Sequence, residues 1–205
     1  PEFTHQLFDE ECIKGYEEGE VAIQVVLGGV SLACLVKIDI QGNKSTNCRE
    51  DIMSQLSNGL PEGYTSDKKE FEAQLGKEKE FEFPGQKIHE YARGGTTFFV
   101  HRATGNHKGA CEYHAQAERL AIWYIETADS IDLKDDRWEI FYIFGEKQQD
   151  ILNKKERRRS LVGYFTAFNF RNPIKGISFR ICQALVFPMY QRQGKLQYAL
   201  AFLEP

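Results

Sequence analysis

The chain has 205 residues, 41% of them hydrophobic and 13% aromatic, with charged residues at 27% and both signs interspersed. That profile excludes intrinsic disorder, and a net charge of −4 argues against bulk attraction to nucleic acid or to an anionic membrane. The longest apolar stretch, residues 21–40, is broken by Gln24, Gly28, Gly29, Ser31, Lys37 and Asp39, so no membrane-spanning helix is expected.

In chain order, residues 9–20 hold six carboxylates against Lys14 and read as an acidic surface loop. Val21 to Leu27 and Val30 to Ile40 are rich in β-branched residues, and Gly28-Gly29 between them predicts a two-residue hairpin turn joining antiparallel strands. Short helices are expected over Asp51 to Leu56, stopped by Asn58-Gly59, and over Asp67 to Leu75 with Ser66 as N-cap. Pro84-Gly85 marks a boundary between a domain at 1–82 and one at 83–205.

Beyond the boundary, Thr96 to Arg102 predicts a strand and Gly109 to Ala128 a long helix, its last turns apolar nearly all round. Trp138 to Phe144 and Leu161 to Phe170 predict aromatic strands, joined by a mobile polar insert containing the basic run 154–159. Gly176 to Phe187 predicts a strand whose continuously apolar end, Ala184 to Phe187, is expected to be buried on both faces. It stops at Pro188 and leads into Gln191-Arg192-Gln193-Gly194-Lys195-Leu196, followed by a helix over Gln197 to Leu203.

Four groups of residues could carry chemistry. A strand running through a glycine turn into a helix can present backbone N–H groups and a helix dipole to a pyrophosphate, although one glycine after a strand is also an ordinary turn. Glu126, near the end of the apolar helix, is either a carboxylate made basic by desolvation or a plain hydrogen-bonding partner. Trp138, Phe168, Asn169 and Phe170 could wall an aliphatic tunnel, or be core. His101, His107, Cys111 and His114 lie close in sequence but straddle several elements, which disfavours a metal, and none is assigned. The run 154–159 is more readily a solvated tip than a nucleic-acid contact, and direct nucleic-acid binding is not expected. Five scattered cysteines (Cys12, Cys34, Cys48, Cys111, Cys182) indicate a reducing compartment. With Pro1 in first place and no leader visible, the chain reads as a fragment.

An ordered series of peptides resembles the catalytic subunits of type B histone acetyltransferases, in the Gcn5-related N-acetyltransferase superfamily. It runs from residues 1–8 (PEFTHQLF) through Glu112-Tyr113-His114, residues 123–128 (WYIETA), Ile131-Asp132 and residues 135–138 (DDRW). It continues through Val162-Gly163-Tyr164 and Gln183-Ala184-Leu185-Val186 to Gln191-Arg192-Gln193-Gly194. The resemblance implies an α+β fold: an N-terminal hairpin-and-helix domain, then an acetyltransferase core with a mixed, largely antiparallel sheet flanked by helices and incomplete at its C-terminal end. It implies acetyl transfer from acetyl-CoA to lysines of newly made core histone tails, chiefly the fourth core histone. The alternative is an impaired or inactive histone-binding module of the same family.

By the same resemblance, Glu126 is the catalytic base, and Ala184, Leu185 and Val186 hold the pantetheine arm and supply backbone donors to the tetrahedral intermediate. Gln191, Arg192, Gln193, Gly194, Lys195 and Leu196 cradle the pyrophosphate; Leu196 replaces the family's small residue and Phe168 its tyrosine. Trp138, Phe168, Asn169 and Phe170 line the lysine channel and tail contacts, and Glu10 and Glu11 meet the basic tail. A WD-repeat histone chaperone is the implied partner, and nucleus and cytoplasm the implied location.

Overall fold

The computed structural model describes residues 2–8, 13, 16, 20–41, 47–151, 154–172 and 176–194. The acidic stretch around Glu10 and Glu11, Lys195 and Leu196, and the helix expected at 197–203 lie outside them. Contacts divide the chain into two compact units, residues 1–81 with 114–129, and residues 82–113 with 130–205. Each mixes or follows helices with antiparallel sheet, so the fold class is α+β.

In the first unit β1 (Val21–Leu27) pairs antiparallel with β2 (Cys34–Ile40). The connection is not the expected two-residue turn. Six residues separate the strands, Gly28 donates to the Ala33 carbonyl, and the left-handed residue is Leu32 (φ 59°), not a glycine of the pair. The cause is tertiary: Glu78 Oε1 accepts from the Val30 N–H at 3.0 Å, the Ser31 N–H at 2.9 Å and Ser31 Oγ at 2.7 Å, which supports a wider loop. A Cβ at Gly28 would lie 2.6 Å from the same carboxylate oxygen, so a larger residue there would push the Glu78 side chain away from the loop.

Helices α1 (Asn47–Leu56) and α2 (Lys68–Gly76) follow. The N-cap of α2 is Asp67, accepting from the Lys69 N–H, one residue later than expected; Thr65 Oγ1 takes the Asp67 N–H and donates to Glu70. Thr65 is itself fixed by a parallel bridge to Leu35 of β2. The Cys34 thiol beside it is buried, and burial pushes it up to about 11, making it inert near neutral pH.

The second unit is a five-stranded antiparallel sheet in the order β3 (Gln86–Arg93), β4 (Thr96–Ala103), β5 (Trp138–Ile151), β6 (Lys154–Asn172), β7 (Gly176–Val186). Strand β3 is absent from the sequence reading: Gln86, Lys87, Glu90 and Arg93 make it polar and largely exposed, as suits an edge strand. The basic run at 154–159, expected to be a mobile insert, is part of β6 and stays in register with β5 out to Ile151↔Lys154. Phe98, Val100, Phe141, Ile143, Val162, Phe165 and Ala167 form the core on one sheet face, with Phe141 and Phe165 stacked at 4.7 Å.

His101 of β4 is buried edge-on against the rings of Phe83 and Phe144. Burial lowers its pKa below the ordinary 6.5; hydrogen bonding with the Pro84 and Gly85 backbone opposes this, and the Lys87 charge adds to it. A group depressed in the fold stabilises it above the unfolded pKa and costs stability as pH falls below that value. Wild-type stability is therefore expected to drop from about pH 6.5 downward, and His101→Phe to flatten that limb, as read by urea unfolding at stepped pH.

Candidate functional site

Helix α3 (Ala110–Ala121) is shorter than the apolar pattern suggested. It ends at Ala121, and residues 122–127 form turns with Thr127 left-handed (φ 54°). Glu126 is therefore exposed in a turn rather than seated on an apolar helix. The helix stops because its successors bond elsewhere in the first unit. The N–H groups of Glu2 and Phe3 donate to the Trp123 carbonyl, at 2.8 Å and 3.2 Å, and the Trp123 indole donates to Gly59 O at 2.6 Å. Gln6 spans the turn, its Nε2 donating to the Ile122 and Ile125 carbonyls (2.6 and 3.0 Å) and its Oε1 accepting from the Thr127 N–H at 2.9 Å. The candidate base thus sits between two residues held by one amide side chain.

In the second unit, strand alternation sorts the aromatic candidates. Trp138 and Phe168 are register partners with rings 4.8 Å apart, and Phe170 follows at 4.8 Å from Phe168. Phe170 is 41% exposed, so this cluster is a surface and not core. Asn169, which lies between them in sequence, points to the other face, where its Nδ2 donates to Glu139 Oε1 at 3.0 Å and to the Arg137 carbonyl at 3.3 Å. It braces the Arg137 backbone, and the Arg137 guanidinium lies 4.6 Å from the Phe168 ring centroid. The residue pattern missed Arg137, although its position next to Trp138 in the motif was the available signal. Arg137 also chelates Asp135, and those hydrogen bonds hold the Asp135 carboxyl below the usual carboxylate range.

Glu139, nearly buried, is shared by Asn169 and Arg102, whose guanidinium binds it through Nε at 2.7 Å and Nη2 at 2.5 Å. Arg102→Ala is expected to cost about 1–2 kcal/mol by chemical denaturation, below a fully buried pair because the arginine is half exposed. Arg102→Leu with Glu139→Leu should recover part of that loss, since no orphaned carboxylate remains.

Strand β7 is not buried on both faces: Ala184, Phe179 and Ile181 are exposed and Leu185 is buried, because β7 borders only β6 among the described residues. After Val186 the chain turns through Phe187, whose N–H donates to the Val162 carbonyl, and a 3-10 turn at Pro188–Tyr190. Gln191 Nε2 returns to the Val186 carbonyl and Gln193 Nε2 to the Met189 carbonyl, bracing the loop internally. Arg192 (φ 57°) and Gly194 (φ 68°) are both left-handed. Left-handed backbone costs a non-glycine residue about 1–2 kcal/mol, and such strain collects at functional sites. Among the described residues the N–H groups of Arg192, Gln193 and Gly194 have no hydrogen-bond acceptor.

The histidine and cysteine candidates have separate surroundings. His107 Nδ1 contacts the Thr104 N–H and Oγ1, Cys111 Sγ donates to the Gly105 carbonyl, and His114 lies 3.5 Å from Glu118. Among the described residues no group of three or more His, Cys, Asp or Glu side chains is arranged to hold a metal.

Residues 1–126 match the family described as Histone acetyl transferase HAT1 N-terminus. The chain belongs to this family. Three relatives carry the same description, histone acetyltransferase type B catalytic subunit, and all align along almost the whole chain. The protein from Mus musculus is 30% identical over 203 residues, covering 95% of this chain and 48% of the relative. One from Dictyostelium discoideum is 29% identical over 204 residues (97% and 42%), and one from Kluyveromyces lactis 27% over 213 residues (95% and 51%). The chain thus spans about half the length of the curated relatives it matches. The HAT1 N-terminus match takes in the first unit apart from residues 127–129, and so includes Gln6 and Glu126.

Proposed function

We propose that this chain is the acetyl-CoA-binding part of a histone lysine acetyltransferase. The observation that carries the reading is the loop after β7, where left-handed Arg192 and Gly194 leave three successive N–H groups without an acceptor among the described residues. A run of successive backbone donors of this kind suits a pyrophosphate. It stands at the end of the strand whose Ala184-Leu185-Val186 backbone would hold the pantetheine arm, and in a chain of the HAT1 N-terminus family.

A lysine ε-amine, with a pKa of about 10.4, arrives protonated and must lose a proton before it attacks. Glu126 takes that proton, the nitrogen lone pair adds to the thioester carbonyl, and backbone N–H groups stabilise the oxyanion until the carbon–sulfur bond breaks and the CoA thiolate leaves, taking up the proton that the new amide nitrogen sheds. The substrate in this reading is the basic tail of a newly made core histone, chiefly the fourth. Its aliphatic stem packs on Trp138, Phe168 and Phe170, and its charge is drawn to Glu10 and Glu11. The reading extends to a WD-repeat histone chaperone as partner and to work in nucleus and cytoplasm.

Calorimetric titration of the 205-residue chain with acetyl-CoA tests the cradle, and acetylation of a histone-tail peptide tests turnover. Saturable binding weakened by Gly194→Val is the expected result. Peptide binding with no acetyl-CoA binding would instead make the chain a histone-binding module.

A further inference from the structure

The strand register of the second unit lines up a lateral row of residues that no candidate role has used: Arg93↔Thr96, Thr96↔Lys147 and Lys147↔Arg158. Directly paired residues point to the same face, so three cations share one face at one end of the sheet, Lys147 and Arg158 as direct neighbours and Arg93 beyond Thr96. Lys147 and Arg158 are exposed and face each other across about 5 Å of ladder, an arrangement that repels in the absence of an anion. Among the described residues neither has an ion-pair or hydrogen-bond partner. Glu146 and its ion-pair partner Arg157 belong to the opposite face by alternation, and Glu156, on the same face, bonds to neither cation.

The same face carries the loop after β7. The next row of the sheet is Tyr91, Phe98, Gly145 and Ser160. Tyr190 packs on the core at that row, and its hydroxyl lies 2.6 Å from Ser160 Oγ. Two residues further out along β3, in the cationic row itself, Arg93 Nη1 donates to the Gln193 carbonyl at 2.7 Å, which ties the last turn of the loop to that row.

We propose that Lys147 and Arg158 bind a phosphomonoester next to the pyrophosphate cradle, namely the ribose 3′-phosphate of coenzyme A, with Arg93 clamping the loop beside it. The inference rests on the acetyl-CoA reading of that loop. It adds a second anion site, separate from the loop backbone, that distinguishes coenzyme A from its 3′-dephospho form. A dianion between two cations removes their repulsion and makes charge-assisted hydrogen bonds to both. Nucleic-acid phosphates would find the same cations, but the tie from Arg93 to the loop favours a ligand already seated there.

Calorimetry with acetyl-CoA and with its 3′-dephospho analogue, on wild type and on Lys147→Ala/Arg158→Ala, tests this. Circular dichroism melts would establish that the variant is folded. Wild type is expected to prefer acetyl-CoA by about tenfold or more. The variant should lose that preference while binding the dephospho form within about twofold of wild type. A wild-type preference near one, or a preference the variant keeps, overturns the proposal while leaving the pyrophosphate cradle intact. Failure of wild type to bind either ligand overturns the cradle reading and this proposal with it. Capture of a single-stranded oligonucleotide by wild type but not by the variant, with the cofactor preference unchanged, would reassign the row to nucleic acid.

Discussion

Trp123→Ala is expected to destabilise the first unit by about 3–5 kcal/mol, enough to abolish most of the stability of an ordinary domain. Trp123 is 9% exposed, and its indole N–H donates to the Gly59 carbonyl, which is buried with it. The substitution deletes a large apolar volume and leaves that acceptor without its donor. It also loosens the site at which the Glu2 and Phe3 N–H groups meet the Trp123 carbonyl, so the turn carrying Glu126 should open along with it. Urea unfolding, with hydrogen exchange at Thr127 and Ile125, would report both effects. Trp123→Phe restores much of the volume but not the indole donor, and should lose about 1–2 kcal/mol. An alanine variant within 1 kcal/mol of wild type would show that the indole is not a structural anchor.

Gly163→Ala is expected to be comparably severe in the second unit, through sterics rather than backbone conformation. Gly163 lies where β6 slips by one residue against β5, between the pairs Ile143↔Gly163 and Phe144↔Leu161. A Cβ there would press into the Leu185 carbonyl oxygen and sit 2.9 Å from Val186 Cα. Both are backbone, so no rotamer change relieves the clash, and β7 must move away from β6 at its C-terminal end. The expected cost is about 2–3 kcal/mol by chemical denaturation. In the acetyl-CoA reading the same shift displaces the strand end that would hold the pantetheine arm and the loop behind it. Acetyl-CoA affinity should then fall by at least about tenfold even at temperatures where the variant stays folded. Retention of wild-type affinity and stability together would mean that β6 and β7 tolerate the shift.

Patterns carried by neighbouring residues were legible without the structure. The alternation at Phe179 and Ile181 and the punctuation at Pro188 located β7 to within a residue of its ends, while the aromatic runs located β5 and β6 only at Trp138 and near Phe170, since both strands run seven residues further at the ends they share. The patterns failed where a distant partner decides the backbone. Gly28-Gly29 has the composition of a tight turn, but Glu78 takes three hydrogen bonds from the loop and draws it wider. Residues 122–128 are apolar enough to continue α3, yet residues from the N-terminus satisfy their carbonyls better than another helical turn would. The polar sequence of β3 concealed a strand, because an edge position asks for little apolar character on either face.

For the candidate site, the peptide series from residue 1 to residue 194 was sufficient to show the family and to nominate Trp138, Phe168 and the Gln191 to Gly194 loop. What it could not do was sort them in space. Tertiary structure alone placed Asn169 on the opposite face from its aromatic neighbours and set Arg137 over Phe168. It alone gathered Arg93, Lys147 and Arg158 into one row from three separate strands. The composition marked the chain as globular, the peptide resemblance implied the α+β class, and the net charge of −4 concealed the basic residues that the sheet brings together. Local periodicity specifies which residues share a face within one strand; which strands lie side by side, and in what register, is decided by pairing between residues far apart in the chain.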